Sequence, residues 1–135
     1  MKIILKIFHI KMGGRMDKEK IAYLAGLFDA DGSILYKQYF RSHKKNSNKR
    51  YWTWHIRMEV SMTNEDAIKY IYEVLNVGTI GKRPPHKTSM GKKMQYRWRC
   101  NHREALGVCK LFLPHAIIQL DKIKQIINHY EGNKI

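Results

Sequence analysis

The segment "YLAGLFDADGSI", residues 23–34, begins with apolar and small residues and ends in two acids followed by glycine. Upstream, Asp17 is a typical helix N-cap, and apolar residues recur at helical spacing after it. Gly32 is a typical helix terminator. The pattern therefore predicts a helix from Asp17 to Gly32 that carries Asp29 and Asp31 in its last turn.

The composition of the chain indicates a folded domain with a polyanionic partner. The 135 residues carry 26 Lys and Arg against 11 Asp and Glu, a formal charge of +15, and 44% hydrophobic residues can form a core. Nucleic acid is the leading partner. A membrane is not expected, because the basic residues are spread along the chain and no apolar run approaches about 18 residues. Cys100 and Cys109 are interpreted as buried, reduced thiols of a cytoplasmic protein.

The first 16 residues differ from the rest of the chain, since they combine lysines with a short apolar stretch. We interpret residues 1–16 as an appendage and residues 17–135 as a single domain. A signal peptide is the alternative. Against it, Lys6, His9 and Lys11 interrupt the apolar stretch, and no small-residue cleavage site follows.

Residues 51–62 alternate strictly between two sets of side chains, which predicts a strand. Trp52 and Trp54 fall on its apolar face and are assigned to the core, as is Trp98; the alternative is that these rings are stacking platforms for single-stranded nucleic acid. The other predicted elements are strands at 33–40, 77–83 and 92–100, and helices at 64–76, 101–112 and 115–130, with a capping box at Thr63 and Asp66 and an interruption at Pro114. This order predicts an α+β fold in which two hairpins form one antiparallel sheet.

The polar face of the predicted sheet consists mostly of hydrogen-bond donors. Strands fit the major groove of duplex DNA, where Arg and Gln side chains read base edges, so this face predicts a DNA-binding surface; the alternative is a solvated sheet face. Its members are Lys37, Thr53, His55, Arg57, Glu59, Gln95, Arg97 and Arg99. Predicted phosphate contacts from the loops are Lys44, Lys45, Lys49, Arg50, Lys82, Arg83 and Lys87.

The nine residues "LAGLFDADG", 24–32, resemble the signature of the LAGLIDADG homing endonucleases and differ from it only at Phe28. The predicted order of helices and hairpins also resembles the αββαββα fold of that family. The resemblance covers about residues 17–130 and implies an antiparallel four-stranded saddle that binds DNA. It does not cover the first 16 residues.

The resemblance implies a homodimer, because the chain carries one copy of the signature. Signature helices of two subunits pack through small residues in this family, here Ala22, Ala25 and Gly26. Asp31 would then project toward the DNA and bind Mg²⁺, or another divalent cation such as Mn²⁺, together with the carbonyl of Ala30. Asp29 is expected to have a structural role at the helix end.

Two further active-site positions are less well matched. Where family members often carry glutamine at the end of the second strand, this chain has Met62, and Asn64 is the nearest polar candidate. A basic residue is often found near the start of the final helix. Counting from Pro114 leads to Gln119, whereas a Lys-x-x-Gln pattern leads to Lys122. We favour Lys122, because an ammonium group can stabilise a pentacoordinate phosphorus.

The resemblance thus predicts a site-specific endonuclease that cleaves double-stranded DNA at a pseudo-palindromic target and serves intron homing. Asp31, Lys122 and Asn64 would carry the catalysis. The first alternative is a non-cleaving relative, either an intron RNA maturase or a DNA-binding regulator. The second is a nonspecific basic coat protein. The expected location is the cytoplasm, or an organelle if an organelle intron encodes the chain.

Overall fold

The computed structural model describes residues 17–42, 50–85 and 93–132. The predicted appendage, residues 1–16, lies outside the described residues. So do the predicted phosphate contacts Lys44, Lys45, Lys49 and Lys87, and all of these assignments stay predictions.

Within the described ranges, four helices and four strands follow one another in the predicted order. They are α1 (Lys18–Asp31), β1 (Gly32–Ser42), β2 (Arg50–Met62), α2 (Glu65–Leu75), β3 (Thr79–Arg83), β4 (Gln95–Asn101), α3 (Arg103–Phe112) and α4 (Leu120–Glu131), with a 3₁₀ turn at Leu113–His115. The α+β prediction is confirmed. None of the helices in the described part of the chain is long and apolar enough to cross a bilayer.

The strands form one antiparallel sheet in the order β1-β2-β4-β3, which confirms the prediction of two hairpins in a single sheet. Gly32 pairs with Val60, so the end of α1 lies beside the last residues of β2. Glu59 pairs with Arg99 across the centre of the sheet. Because side chains alternate along each strand, the register places the predicted polar residues on one face.

The helices cover the other face of the sheet, and the core lies between them. Trp98 is fully buried and its indole Nε1 donates a hydrogen bond to the carbonyl of Val77 at 2.9 Å. Phe28, on the buried side of α1, is 5.7 Å from Phe112 between ring centroids. Cys100 and Cys109 are buried and free, as predicted, and burial raises the pKa of Cys109 to about 12.

The core assignment of Trp52 is wrong, because its side chain is 61% exposed. Alternation along a strand assigns Trp52 to the correct face of the sheet. The helix layer, however, ends before it reaches Trp52 and its cross-strand partner Phe40. Trp54 lies one pair closer to the helices and is half-buried, with its ring 4.9 Å from that of His129 on α4.

Two helix starts also differ from prediction. The N-cap of α2 is Asn64, whose side-chain oxygen accepts a hydrogen bond from the backbone N–H of Ala67, and not the Thr63–Asp66 pair. The last helix begins at Leu120 and not at residue 115. Asp17 caps α1 as predicted, with its carboxylate accepting from two backbone N–H groups of the first turn.

Candidate nucleic-acid interface and metal site

The two acids of the 24–32 segment have different surroundings. Asp31 is the last residue of α1 and is exposed. Its carboxylate has no hydrogen-bond or ion-pair partner among the described residues. It is therefore free to bind a cation or a solvent molecule at the junction of α1, β1 and the end of β2.

Asp29 is buried, and both of its carboxylate oxygens accept hydrogen bonds from backbone N–H groups of the same chain. One oxygen accepts from the backbone N–H of Gln119 at 2.8 Å, and the other accepts from Ile118 at 2.9 Å and Ile117 at 3.1 Å. Burial opposes ionisation, but these three hydrogen bonds outweigh it and lower the pKa of Asp29. The predicted structural role of Asp29 is confirmed.

The side chain of Gln119 lies at the end of α1. Its amide Nε2 donates a 2.7 Å hydrogen bond to the carbonyl of Gly32, the residue after Asp31. Lys122 is exposed on the first turn of α4, and no described contact joins it to α1. The structure thus brings Gln119 to the candidate site where the sequence favoured Lys122. The count from Pro114 was the signal that pointed to Gln119.

Asn64 and Met62 are the other residues considered at this end of β2. The side-chain oxygen of Asn64 is engaged in capping α2, and no described contact joins it to Asp31. Met62 is half-buried and packs against the core. A catalytic role for Asn64 stays a prediction, whereas its capping role is visible.

The face of the sheet opposite the helices, here called the outer face, brings the predicted polar residues together. The register places on it Lys37, Thr53, His55, Arg57, Glu59, Gln95, Arg97 and Arg99. It adds Arg41, Ser61 and Asn101, which sequence reasoning did not select although the same alternation would have found them. The predicted phosphate contact Arg83 also lies on the outer face. Lys82, the residue before it on β3, lies on the other face of the sheet, beside α2.

Several outer-face cations are already paired within the chain. The guanidinium of Arg99 forms a 2.7 Å salt bridge with Glu59, and the Nε of Arg57 donates to the side chain of Asn101 at 3.2 Å. Arg97 and Gln95 have no hydrogen bond or ion pair within the described part of the chain. These two side chains are consequently the freest on β4 to contact a ligand.

His55 is a neutral hydrogen-bond partner on the outer face. Partial burial lowers the pKa of His55, and the neighbouring guanidinium groups of Arg41 and Arg57 lower it further. The guanidinium of Arg41 lies 2.8 Å from its Nε2. Because arginine can only donate, Nε2 accepts and the ring proton is on Nδ1.

The exposed side of α1 presents small and apolar residues. Tyr23 is 59% exposed, and a Cβ added at Gly26 would meet nothing within 4 Å. Ile117 and Ile118, which Asp29 holds against the same helix, are 82% and 74% exposed. We call these four residues the apolar seam.

The residues predicted for the dimer interface divide between this side and the core. Ala22 is half-buried and Gly26 is exposed. Ala25 is 1% exposed, so the prediction that it faces a partner is wrong, because the core of its own chain covers it.

The described residues do not offer a cluster of side chains that could by itself hold a cation at this site. No group of three or more His, Cys, Asp or Glu side chains within the described ranges could hold a metal ion. The donors at the end of α1 are the carboxylate of Asp31 and the last-turn carbonyls, which lack intrahelical partners at a helix end. These are hard oxygen ligands, and they fit Mg²⁺, which is often bound by one or two carboxylates together with substrate phosphates.

The sequence matches the family model of the LAGLIDADG endonucleases over residues 24–118. The chain belongs to the LAGLIDADG endonuclease family. This confirms the resemblance drawn from the signature. No curated protein matches the sequence significantly.

Solved structures of homing endonucleases share the fold. I-CvuI in complex with the I-CreI target is 19% identical, with a TM-score of 0.67 over 88% of this chain and 71% of that chain. The archaeal intron-encoded I-Vdi141I, complexed with DNA, is 14% identical, with a TM-score of 0.61 over 80% and 64%. The group I intron-encoded I-CeuI, complexed with DNA, is 18% identical, with a TM-score of 0.54 over 83% and 52%.

Proposed function

We propose that this chain is a site-specific DNA endonuclease that works as a homodimer and requires a divalent cation. The observation that carries the proposal is the exposed carboxylate of Asp31 at the end of α1, beside a sheet face rich in hydrogen-bond donors. No residue that the structure describes pairs with it. A lone carboxylate next to DNA phosphates is repulsive unless a cation lies between them. Membership of the LAGLIDADG endonuclease family supports the same conclusion.

The outer face is proposed to bind double-stranded DNA. A sheet of four strands can lie in the major groove, where Arg97 and Gln95 have free donors for base edges. Arg83 would contact phosphates, and the +15 charge of the chain would strengthen binding at low salt. Arg50 has the same strand phase as Trp52 and therefore lies on the face of β2 opposite the outer face. The relatives named above were solved in complexes with DNA targets, which supports a duplex ligand.

A divalent cation, Mg²⁺ or Mn²⁺, is proposed to bind the carboxylate of Asp31 and the carbonyl of Ala30. When bound, it would activate water and stabilise the leaving oxygen in phosphodiester hydrolysis. The protein's own contribution is positional. Asp29 holds the entry to α4 against the last turn of α1, and Gln119 fixes the carbonyl of Gly32. Structures of I-CvuI with DNA were obtained with Mg and with Ca.

The proposed homodimer rests on the apolar seam. Two exposed isoleucines and an exposed tyrosine are costly to leave in water, and the open surface at Gly26 allows a second helix to approach closely. Packing two copies through the same surface generates a two-fold axis. One Asp31 from each copy would then serve one DNA strand, and the target would be pseudo-palindromic.

The proposal can be tested with a randomised duplex DNA library. Protein and library are incubated with Mg²⁺, and the cut ends are sequenced to identify the target. We expect cleavage of both strands at one site, and no cleavage with EDTA. Asp31→Asn should abolish cleavage while binding in Ca²⁺ stays within about threefold. Asp66→Asn, an exposed acid on α2, is the matched control and should cut normally.

A second candidate function is binding without cleavage, to DNA as a regulator or to intron RNA as a maturase. The observation that favours it is the neutral Gln119 beside Asp31, together with the apolar Met62 at the end of β2. Under this alternative, the selected DNA is bound but remains intact with Mg²⁺ and with Mn²⁺. Cleavage that Asp31→Asn removes would exclude it, whereas cleavage that persists in this variant would contradict the first proposal.

A further inference from the structure

The end of the β1–β2 hairpin that lies far from α1 carries a pair of exposed aromatic side chains. Phe40 and Trp52 are cross-strand partners with ring centroids 4.9 Å apart and planes inclined by 34°. They are 52% and 61% exposed. The guanidinium of Arg50 lies over the ring of Phe40 at 5.8 Å. We call these three side chains the aromatic platform.

The aromatic platform is exposed because the helix layer ends before it. Trp54, one cross-strand pair closer to the core, stacks on Tyr36 at 4.8 Å and meets His129 of α4. Phe40 and Trp52 extend beyond that helix, and nothing in the described part of the chain covers them. Among the described residues, these two rings therefore lie outside the core and form a large exposed aromatic surface.

The aromatic platform is separate from the proposed cleavage site. Along β1 and β2, Phe40 and Trp52 fall at the alternate positions whose side chains face the helices, so they point away from the outer face. Phe40 is eight residues beyond Gly32, which is roughly 26 Å along an extended strand. A ligand on the aromatic platform would thus lie on the opposite side of the sheet from a duplex bound to the outer face.

We propose that the aromatic platform binds unpaired nucleotides of single-stranded RNA. Flat aromatic rings stack on nucleobases of any sequence, and an arginine beside them pairs with the phosphodiester. Arg50 has no carboxylate partner among the described residues, and the chain carries a +15 charge. Duplex DNA hides the faces of its bases, whereas RNA loops and bulges present them. This inference does not depend on DNA cleavage.

The test uses a fluorescently labelled, unstructured RNA of about twelve nucleotides, a length in the range of single-strand sites. Fluorescence anisotropy measures its affinity for the full chain. We expect Trp52→Ala to weaken binding by about tenfold or more, and Trp52→Phe to retain most of it. Tyr72→Ala, which removes a partly exposed aromatic from the same side of the sheet, is the control and should leave the affinity unchanged. Circular dichroism checks that each variant is folded.

Competition separates this surface from the outer face. A random-sequence DNA duplex in Ca²⁺ should not displace the labelled RNA, whereas unlabelled RNA of the same sequence should displace it. Unchanged RNA affinity in folded Trp52→Ala would overturn the proposal. Displacement by duplex would overturn it too, because the RNA would then occupy the outer face.

Discussion

The carboxylate of Asp29 accepts a 2.8 Å hydrogen bond from the backbone N–H of Gln119, 90 residues later in the chain. The other carboxylate oxygen accepts from Ile117 and Ile118. One side chain of α1 therefore organises the entry to α4 and delivers the side chain of Gln119 to the carbonyl of Gly32. This leaves Asp31 as the acid of the signature that remains available to a ligand.

The hydrogen bonds of Asp29 predict a loss of stability in Asp29→Asn. The amide keeps one acceptor oxygen but turns an N–H donor toward backbone N–H groups, so we expect the free energy of unfolding at pH 7 to fall by about 1–3 kcal/mol. Urea unfolding at a fixed protein concentration measures it. Asp31→Asn, which removes no described contact, is the control and should change this free energy by less than about 0.5 kcal/mol.

The lowered pKa of Asp29 also predicts that the stabilising effect of its carboxylate depends on pH. The pKa of Asp29 in the folded state lies below its usual value of 3.8. Its ionised form therefore stabilises the fold above about pH 4, and this contribution is lost as the pH falls through the folded-state pKa. The difference in unfolding free energy between the wild-type chain and Asp29→Asn should shrink in that range. A difference that stays constant down to pH 2 would contradict the assignment.

The position of Gln119 predicts that a lysine there accelerates cleavage. An ammonium group beside Asp31 would stabilise charge on the phosphate in the transition state, so Gln119→Lys should raise the single-turnover rate by at least about tenfold. Gln125→Lys adds the same charge on the exposed side of α4 and should have little effect. A large loss in Lys122→Ala, with no gain in Gln119→Lys, would instead support the role that the sequence assigned to Lys122.

The guanidinium of Arg97, with which no described residue pairs, predicts a role in reading sequence. Arg97→Ala should relax the preference at one base pair of each half-site, at a cost of about 1–3 kcal/mol. Arg57→Ala should act in the same way if Arg57 exchanges Asn101 for a base edge. Affinities for single-base variants of the target measure both effects. Arg83→Ala, a proposed phosphate contact, should weaken all sequences equally; the same uniform loss in Arg97→Ala would make Arg97 a phosphate contact as well.

The open surface at Gly26 predicts that a large side chain there disrupts the dimer without harming the monomer. A Cβ at this position meets nothing in the single chain, and glycine in a helix costs about 1 kcal/mol relative to alanine. Gly26→Leu should therefore fold normally yet raise the dimer dissociation constant by about tenfold or more, measured by sedimentation equilibrium. Glu73→Leu on the exposed side of α2 is the control. An unchanged dimer in Gly26→Leu would place the interface elsewhere.

Sequence reasoning was most successful where the structure depends on local periodicity. The alternation over residues 51–62 correctly assigns each side chain to a face of β2, because successive side chains of a strand point to opposite sides. The same alternation cannot tell how far the helices extend over that face. Trp52 was therefore assigned to the core, although α4 covers the sheet only as far as Trp54.

By itself, the sequence determined the family, the α+β order and the presence of two acids at the end of α1. Helical spacing, strand alternation and a nine-residue signature are properties of short segments, and they can be read without knowing what packs against them. The tertiary structure alone decided which backbone groups Asp29 binds, that Gln119 and not Lys122 contacts the end of α1, and that Ala25 belongs to the core. These outcomes depend on contacts between residues as many as 90 positions apart, which no local pattern contains.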